Sequence, residues 1–183
     1  IHTGCDFHFC YEQLRDALAN PSKYTINQKR YLLIELPDLS IPKTVDEVLM
    51  RLQVVGIVPV ITHPERNWFL QRWRERLEEW VRVGCLLQVT AQSFFGRFGP
   101  EARDFSCELM QCDLVHFIAS DAHDCEDRPP RLDEAHRYVA CRFGAELATR
   151  LFVTNPRAAL DGFPLEPPPV RTPLRHRRRK FWS

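Results

Sequence analysis

The stretch VITHPERN, Val60 to Asn67, runs strand-prone apolar residues straight into a histidine, a proline and an adjacent acid and base. Similar deliveries recur along the chain. Glu35 lies within the apolar run YLLIEL, His63 ends the run before HPER, and Gln88 to Gln92 is rich in amides. Asp121 and His123 follow HFIAS, and upstream Asp6 comes just after Gly4. Carboxylates and imidazoles gathered from separate strands form a donor set for a hard or borderline divalent cation: carboxylate oxygens suit Mn²⁺ or Mg²⁺, and imidazole suits Fe, Mn or Zn. A single histidine at a strand end is more often a hydrogen-bonded structural residue, so the inference rests on the group. Glu35 adds weight, because an unpaired carboxylate inside an apolar run is costly and needs a partner. That partner is a cation or a guanidinium such as Arg30 or Arg66. Asp121 and His123, at alternate positions of a strand end, are expected to point to one side.

Two arginines extend the chemistry. Arg66 stands three residues past His63, and Arg128 five past His123, before Pro129 and Pro130. Two guanidinium forks beside a metal cluster suit a dianion such as a phosphate, which they grip bidentately. The plainer alternative pairs each with a neighbouring acid, Arg66 with Glu65 and Arg128 with Asp127.

Such side chains converge only if the elements carrying them share one architecture. Tyr31 to Leu36, Ile57 to Thr62, Cys85 to Thr90 and Leu114 to Ala119 read as strands, each a near-continuous apolar run of the kind buried on both faces. Between and after them, helices are expected over Thr44 to Val55, Trp68 to Val83, Glu101 to Cys112, Asp133 to Phe143 and Ala145 to Leu151, with a short one from Asn155 to Leu160. Thr44 and Glu47 have the spacing of a capping box. Gly56, Gly84 and Gly144 are expected to stop their helices. Alternation of this kind predicts a parallel α/β fold, barrel-like or doubly wound, whose strand ends carry the chemistry.

Composition bounds the reading. The chain has 183 residues, 44% of them hydrophobic, enough for one domain with a substantial core. No stretch approaches the roughly 18 apolar residues of a membrane span, and the opening residues lack a secretory signal pattern. A cytoplasmic location is expected. The seven cysteines are odd in number and form no CxxC pair, which suits reduced, mostly buried thiols. The net charge of +1 is unevenly spread: RTPLRHRRRK at 171–180 holds six of the 25 basic residues and no acid, leaving 19 bases against 24 acids in the body. Residues 1–165 are expected to form the folded domain and 166–183 a disordered, proline-rich and basic tail. That tail is either simply solvated or an attachment to an anionic membrane surface, helped by Phe181 and Trp182. Nucleic acid is not an expected partner, because the body is acidic.

The motifs GCDF at Gly4 to Phe7, LIEL around Glu35, HPER at His63 to Arg66 and HFIASDAHDCEDRPP from His116 to Pro130 agree in order and spacing with a known family. They resemble the polymerase and histidinol phosphatase (PHP) superfamily, most closely the bacterial manganese-dependent tyrosine phosphatases of capsular and exopolysaccharide gene clusters. The similarity runs from about Gly4 to Leu160. It implies a distorted TIM-like (β/α)7 barrel with a divalent metal cluster at its rim, foremost Mn²⁺, with Fe, Co or Mg as alternatives. Carried onto this chain, Asp6, Glu35, His63, Asp121 and His123 would be metal ligands, Asp6 standing where relatives usually have Glu. Arg66 and Arg128 would be the catalytic residues holding the phosphate. The family's opening His-x-His strand, loop Asp and further His have no counterpart here, so a partial barrel lacking its first strands is expected, in an N-terminally truncated chain.

The implied function is metal-dependent hydrolysis of a phosphotyrosine protein, the tail of a tyrosine autokinase that regulates capsule and exopolysaccharide synthesis; on the membrane-attachment reading of the basic tail, the protein would sit at the inner face of the membrane. A small phosphomonoesterase resembling histidinol phosphatase, and a non-catalytic remnant that binds a partner, are the alternatives. His8 or Asp124 would supply the proton for the leaving oxygen. No cysteine is expected to act as the nucleophile of a Cys-x5-Arg phosphate loop.

Overall fold

Five parallel strands form one sheet in the order in which they follow one another along the chain. They are β1 (Asp6–His8), β2 (Tyr31–Glu35), β3 (Val58–Thr62), β4 (Leu86–Thr90) and β5 (Phe117–Ala119). The computed structural model describes residues 2–9, 11–38 and 40–165, with backbone alone for 11–14. The proline-rich and basic tail at 166–183 lies outside the described residues, as does Cys10. A doubly wound sheet reverses its strand order at a switch point. Here every crossover among the described residues steps to the next strand in the same direction, with no such reversal. Among the described residues the sheet is open, with β1 and β5 as its edges.

The helices are α1 (Tyr11–Ala19), α2 (Pro21–Tyr24), α3 (Val45–Val54), α4 (Arg74–Arg82), α5 (Pro100–Gln111), α6 (Asp133–Phe143), α7 (Ala145–Thr149) and α8 (Asn155–Asp161). Side chains alternate along a strand, and that period of two divides the sheet into two unlike faces. Leu32, Ile34, Ile61, Leu87, Val89 and Ile118 turn to the outer face, where Leu49 and Leu52 of α3, Leu77 and Trp80 of α4, Leu109 of α5 and Val139 of α6 complete the main core. Tyr31, Val60, Leu86 and Phe117 turn to the inner face and meet Ala159 of α8 in a smaller cluster. By the same alternation Asp6, His8, Glu35 and Thr62 belong to the inner face, Asp6 opening β1 and His8, Glu35 and Thr62 ending β1, β2 and β3.

Three helices hand over to the next strand by the same device. After α3, Gly56 takes φ +84° and donates to the carbonyl of Gln53, while Ile57 donates to that of Leu52. Gly84 and Cys85 repeat this after α4, and Asp113 (φ +54°) and Leu114 after α5. This is the Schellman arrangement, which satisfies the last helical carbonyls and reverses the chain into the sheet.

Three sequence expectations are corrected, and two elements went unforeseen. Thr44 has helical dihedrals and no side-chain cap bond, because the turn into α3 already begins with Val45 donating to Pro42; Glu47 pairs instead with Arg51 at 2.6 Å. The helix expected over Trp68 to Val83 is broken: the Asn67 side chain accepts from the amides of Phe69 and Leu70, a 3-10 turn spans Leu70–Arg72, and Trp73 (φ −122°, ψ 50°) leaves helical geometry before α4 starts. β1 and α1 had no expectation at all, since a three-residue strand with one apolar side chain carries no periodic signal. The thiols are not mostly buried: of the six described, Cys85 and Cys112 are buried, whereas Cys125 and Cys141 are exposed.

Candidate metal and phosphate site

The first, inner-facing residue of the short edge strand β1, the last residue of β2 and the first residue after β3 bring Asp6, Glu35 and His63 into one group whose ligand atoms all lie within 4.8 Å of one another. His63 follows β3 in the left-handed region (φ +34°, ψ +49°), with Pro64 next. A non-glycine residue there is strained, and the strain turns the imidazole back over the strand ends. Glu35 faces two imidazoles: His8 Nδ1 is 3.0 Å from Oε2, and His63 Nε2 is 3.5 Å from Oε1. The partner that Glu35 needed is therefore histidine, not Arg30 or Arg66. Thr62 Oγ1 donates to Asp6 Oδ1 at 3.3 Å, tying the edge strand to β3.

The donor set fits a divalent cation. Two carboxylates and one imidazole within one small sphere are the chemistry such an ion selects. Burial foremost, and then the Arg66 guanidinium, hold the His63 imidazole below its ordinary pKa, against the opposing pull of Glu35, Asp121 and Asp6. A neutral ring keeps the lone pair a metal needs.

Asp121 and His123 sit differently from the expectation of two ligands side by side on a strand. β5 ends at Ala119, and Asp121 turns left-handed (φ +51°). Asp121 Oδ2 accepts from Arg66 Nη1 at 2.6 Å and also from Arg128 Nη2. The exposed His123 ring lies 2.9 Å from the Asp121 carbonyl oxygen through Nδ1. So Asp6, Glu35 and His63 form one cluster, and Asp121, Arg66 and Arg128 a second beside it. The plainer pairings of the arginines do not form: Glu65 is buried, and Asp127 lies 3.7 Å from Arg97.

Glu65, read in the sequence only as a salt-bridge partner for Arg66, has a different role. It is fully enclosed, Oε1 accepts from the Thr90 amide (2.9 Å) and from Ser93 Oγ (2.7 Å), and burial pushes its carboxyl up to about 7. It fastens the HPER turn to the end of β4; a carboxylate between a proline and an arginine offers no sequence signal for this. Of the two proton-donor candidates, Asp124 is occupied: its Oδ1 accepts from the amides of residues 126, 127 and 128, which hold the carboxyl below its usual range. Cys125 and Arg131 do have Cys-x5-Arg spacing. The amides that a phosphate loop would need are those already given to Asp124, and Arg131 turns to Asp133 at 3.3 Å, so no anion cradle forms there.

A family described as "Capsular polysaccharide synthesis, CpsB/CapC" matches residues 1–161. The chain belongs to the CpsB/CapC family. CapC of Staphylococcus aureus is 40% identical over 118 residues, 64% of this chain and 46% of CapC. The tyrosine-protein phosphatase YwqE of Bacillus subtilis is 35% identical over 75% of this chain and 54% of YwqE, and the tyrosine-protein phosphatase CpsB of Streptococcus pneumoniae 32% over 86% and 66%. Among solved structures, one from the crystallography of YwqE and CpsB, described as unique metal-dependent tyrosine phosphatases, matches with a TM-score of 0.80 at 32% identity, covering 89% of this chain and 66% of that one. The chain spans about half the length of the first two of these CpsB/CapC relatives.

Proposed function

We propose that this chain carries the metal and phosphate site of a metal-dependent protein-tyrosine phosphatase acting in capsule or exopolysaccharide synthesis, on the phosphotyrosine tail of a tyrosine autokinase. One observation carries the proposal: Asp6, Glu35 and His63 converge within 4.8 Å beside two arginines that already grip a single carboxylate oxygen. The strictly sequential sheet supports a (β/α)7 barrel of which these strands are part. Asp6, Glu35 and His63 would hold a divalent cation, Mn²⁺ foremost, with Asp121 and His123 as further ligands. When bound, such a cation supplies Lewis-acid polarisation of a phosphoryl oxygen and acidifies water.

The chain's own residues do the rest. Arg66 and Arg128 bind the non-bridging phosphate oxygens bidentately and offset the charge that spreads over them as the bond to the tyrosine oxygen breaks. His8, exposed at the mouth with Nδ1 on Glu35, is the residue that hands a proton to the leaving oxygen. The basic tail attaches the protein to the anionic inner face of the membrane, each basic residue contributing about 1 kcal/mol near such a surface.

The test is hydrolysis by the purified chain, with and without MnCl₂, of a phosphotyrosine peptide, a phosphoserine peptide and histidinol phosphate. Manganese-dependent release of phosphate from the phosphotyrosine peptide, lost in Glu35→Gln, is the expected result. Preference for histidinol phosphate would move the substrate to small phosphomonoesters. Substoichiometric metal together with no hydrolysis of any substrate would overturn the enzyme reading in favour of a partner-binding one.

A further inference from the structure

We propose that Phe98 is a positioning residue for the phosphate grip, its ring holding the guanidinium groups of Arg66 and Arg128 so that both converge on one anion. The inference rests on the reading that these two arginines receive the phosphate.

Both guanidinium groups end on the same oxygen, Asp121 Oδ2. One carboxylate carries one negative charge, so the mutual repulsion of two cations brought to a single acceptor offsets part of the attraction each has for it. The Phe98 ring supplies a further attraction. The Arg66 guanidinium carbon lies 4.3 Å from its centroid and that of Arg128 5.7 Å, both inside the range in which the negative face of an aromatic ring attracts a cation. Phe98 belongs to neither hydrophobic cluster of the fold. A large aromatic side chain kept out of both clusters and set against two arginines is placed to orient them. Arg128 Nε is sealed from water and donates to nothing among the described residues, so the ring and Asp121 are the contacts among them that hold this guanidinium.

The segment that delivers Phe98 is built for placement. A 3-10 turn spans Ala91–Phe95 after β4; Gly96 (φ +77°) donates to Ser93, and Gly99 (φ +96°) donates to Gly96 just before Pro100 opens α5. Phe98 therefore sits between two positions whose backbone only glycine adopts without strain. The same segment is fastened at its other end by Glu65, through Thr90 and Ser93. Neighbouring residues of HPER thus engage one loop twice: Glu65 secures its start from inside, and Arg66 stacks on Phe98 near its end.

The experiment uses the full chain with MnCl₂ and inorganic phosphate as the probe, in three variants: Phe98→Leu, which keeps an apolar side chain without a ring; Phe98→Trp, which keeps an aromatic face; and Arg66→Lys. Phosphate affinity is read by calorimetry, manganese affinity by metal titration, and the arginine side-chain NH groups by NMR, where stacking on a ring shifts their resonances. Phe98→Leu is expected to weaken phosphate binding on the order of tenfold, to move the Arg66 and Arg128 resonances towards ordinary solvent-exposed values, and to leave manganese affinity unchanged. Phe98→Trp is expected to retain native phosphate affinity and shifted resonances. Native phosphate binding in Phe98→Leu, or an equal loss in Phe98→Trp, would overturn the positioning role while the phosphate reading stands. Phosphate binding that is absent from the native chain or unaffected by Arg66→Lys would remove the reading itself, and this inference with it.

Discussion

Glu65 and His116 are both sealed inside the molecule, and their protonation responds to folding in opposite ways. Burial pushes the Glu65 carboxyl up to about 7 from 4.5, so folding takes up a proton between those values and stability is lost as pH rises through them. Burial pulls the His116 imidazole down to about 4 from 6.5, so stability is present above 6.5 and is lost as pH falls towards 4. Each amounts to about 3 kcal/mol, and over the shared window they oppose one another. Denaturant melts in EDTA should therefore give the native chain a shallow dependence between pH 4.5 and 6.5. Glu65→Gln should uncover a rise in stability with pH, and His116→Asn, which keeps an acceptor for the Leu87 amide, a fall. Identical slopes in all three proteins would contradict this assignment. A second outcome concerns the thiols. Cys125→Ser and iodoacetamide treatment should leave the proposed manganese-dependent hydrolysis intact, because the exposed thiols lie outside the donor set and burial pushes the Cys85 thiol up to about 12. At this scale the sequence was read well where a side chain stood at a strand end, as Glu35 and His63 do. It was read poorly where a role depends on burial, as for Glu65.

Helix ends show the same division one level up. Gly56 and Gly84 were legible as stops because a left-handed residue after a helix is a local requirement that glycine meets. Alanine at Gly56 meets no atom within 4 Å, so its cost is conformational alone, about 1–2 kcal/mol. Thermal melts should show a fall of a few degrees. Alanine at Gly84 should fall further, since its Cβ would lie 3.1 Å from Gln53 Nε2, whose bond to the Val83 carbonyl it would disturb. Equal melting points for the two variants would argue against that crowding. The helix expected from Trp68 was misread for a complementary reason: apolar periodicity continued through a stretch where Asn67 and Trp73 impose turn geometry.

Across the described residues, one face of a sequentially ordered sheet carries the main core and the other a smaller cluster together with the candidate site. A cation bound by the folded chain and not by the unfolded one stabilises it, by about 2.7 kcal/mol at a hundred times the dissociation constant. Manganese should therefore raise the melting temperature of the native chain, EDTA should reverse the rise, and Glu35→Gln should abolish it. A melting temperature indifferent to manganese would count against the cluster of Asp6, Glu35 and His63.

By itself the sequence determined the alternation of strand and helix, the positions of the glycine stops and the side chains that stand at strand ends, because each follows from residue type and spacing over a few neighbours. Only the tertiary structure decided that Glu35 meets His8 and His63, that both arginines close on Asp121, and that Phe98 lies against them. Those contacts depend on the register between strands and on the left-handed turns at His63 and Asp121. Both are set by packing between segments far apart in the chain.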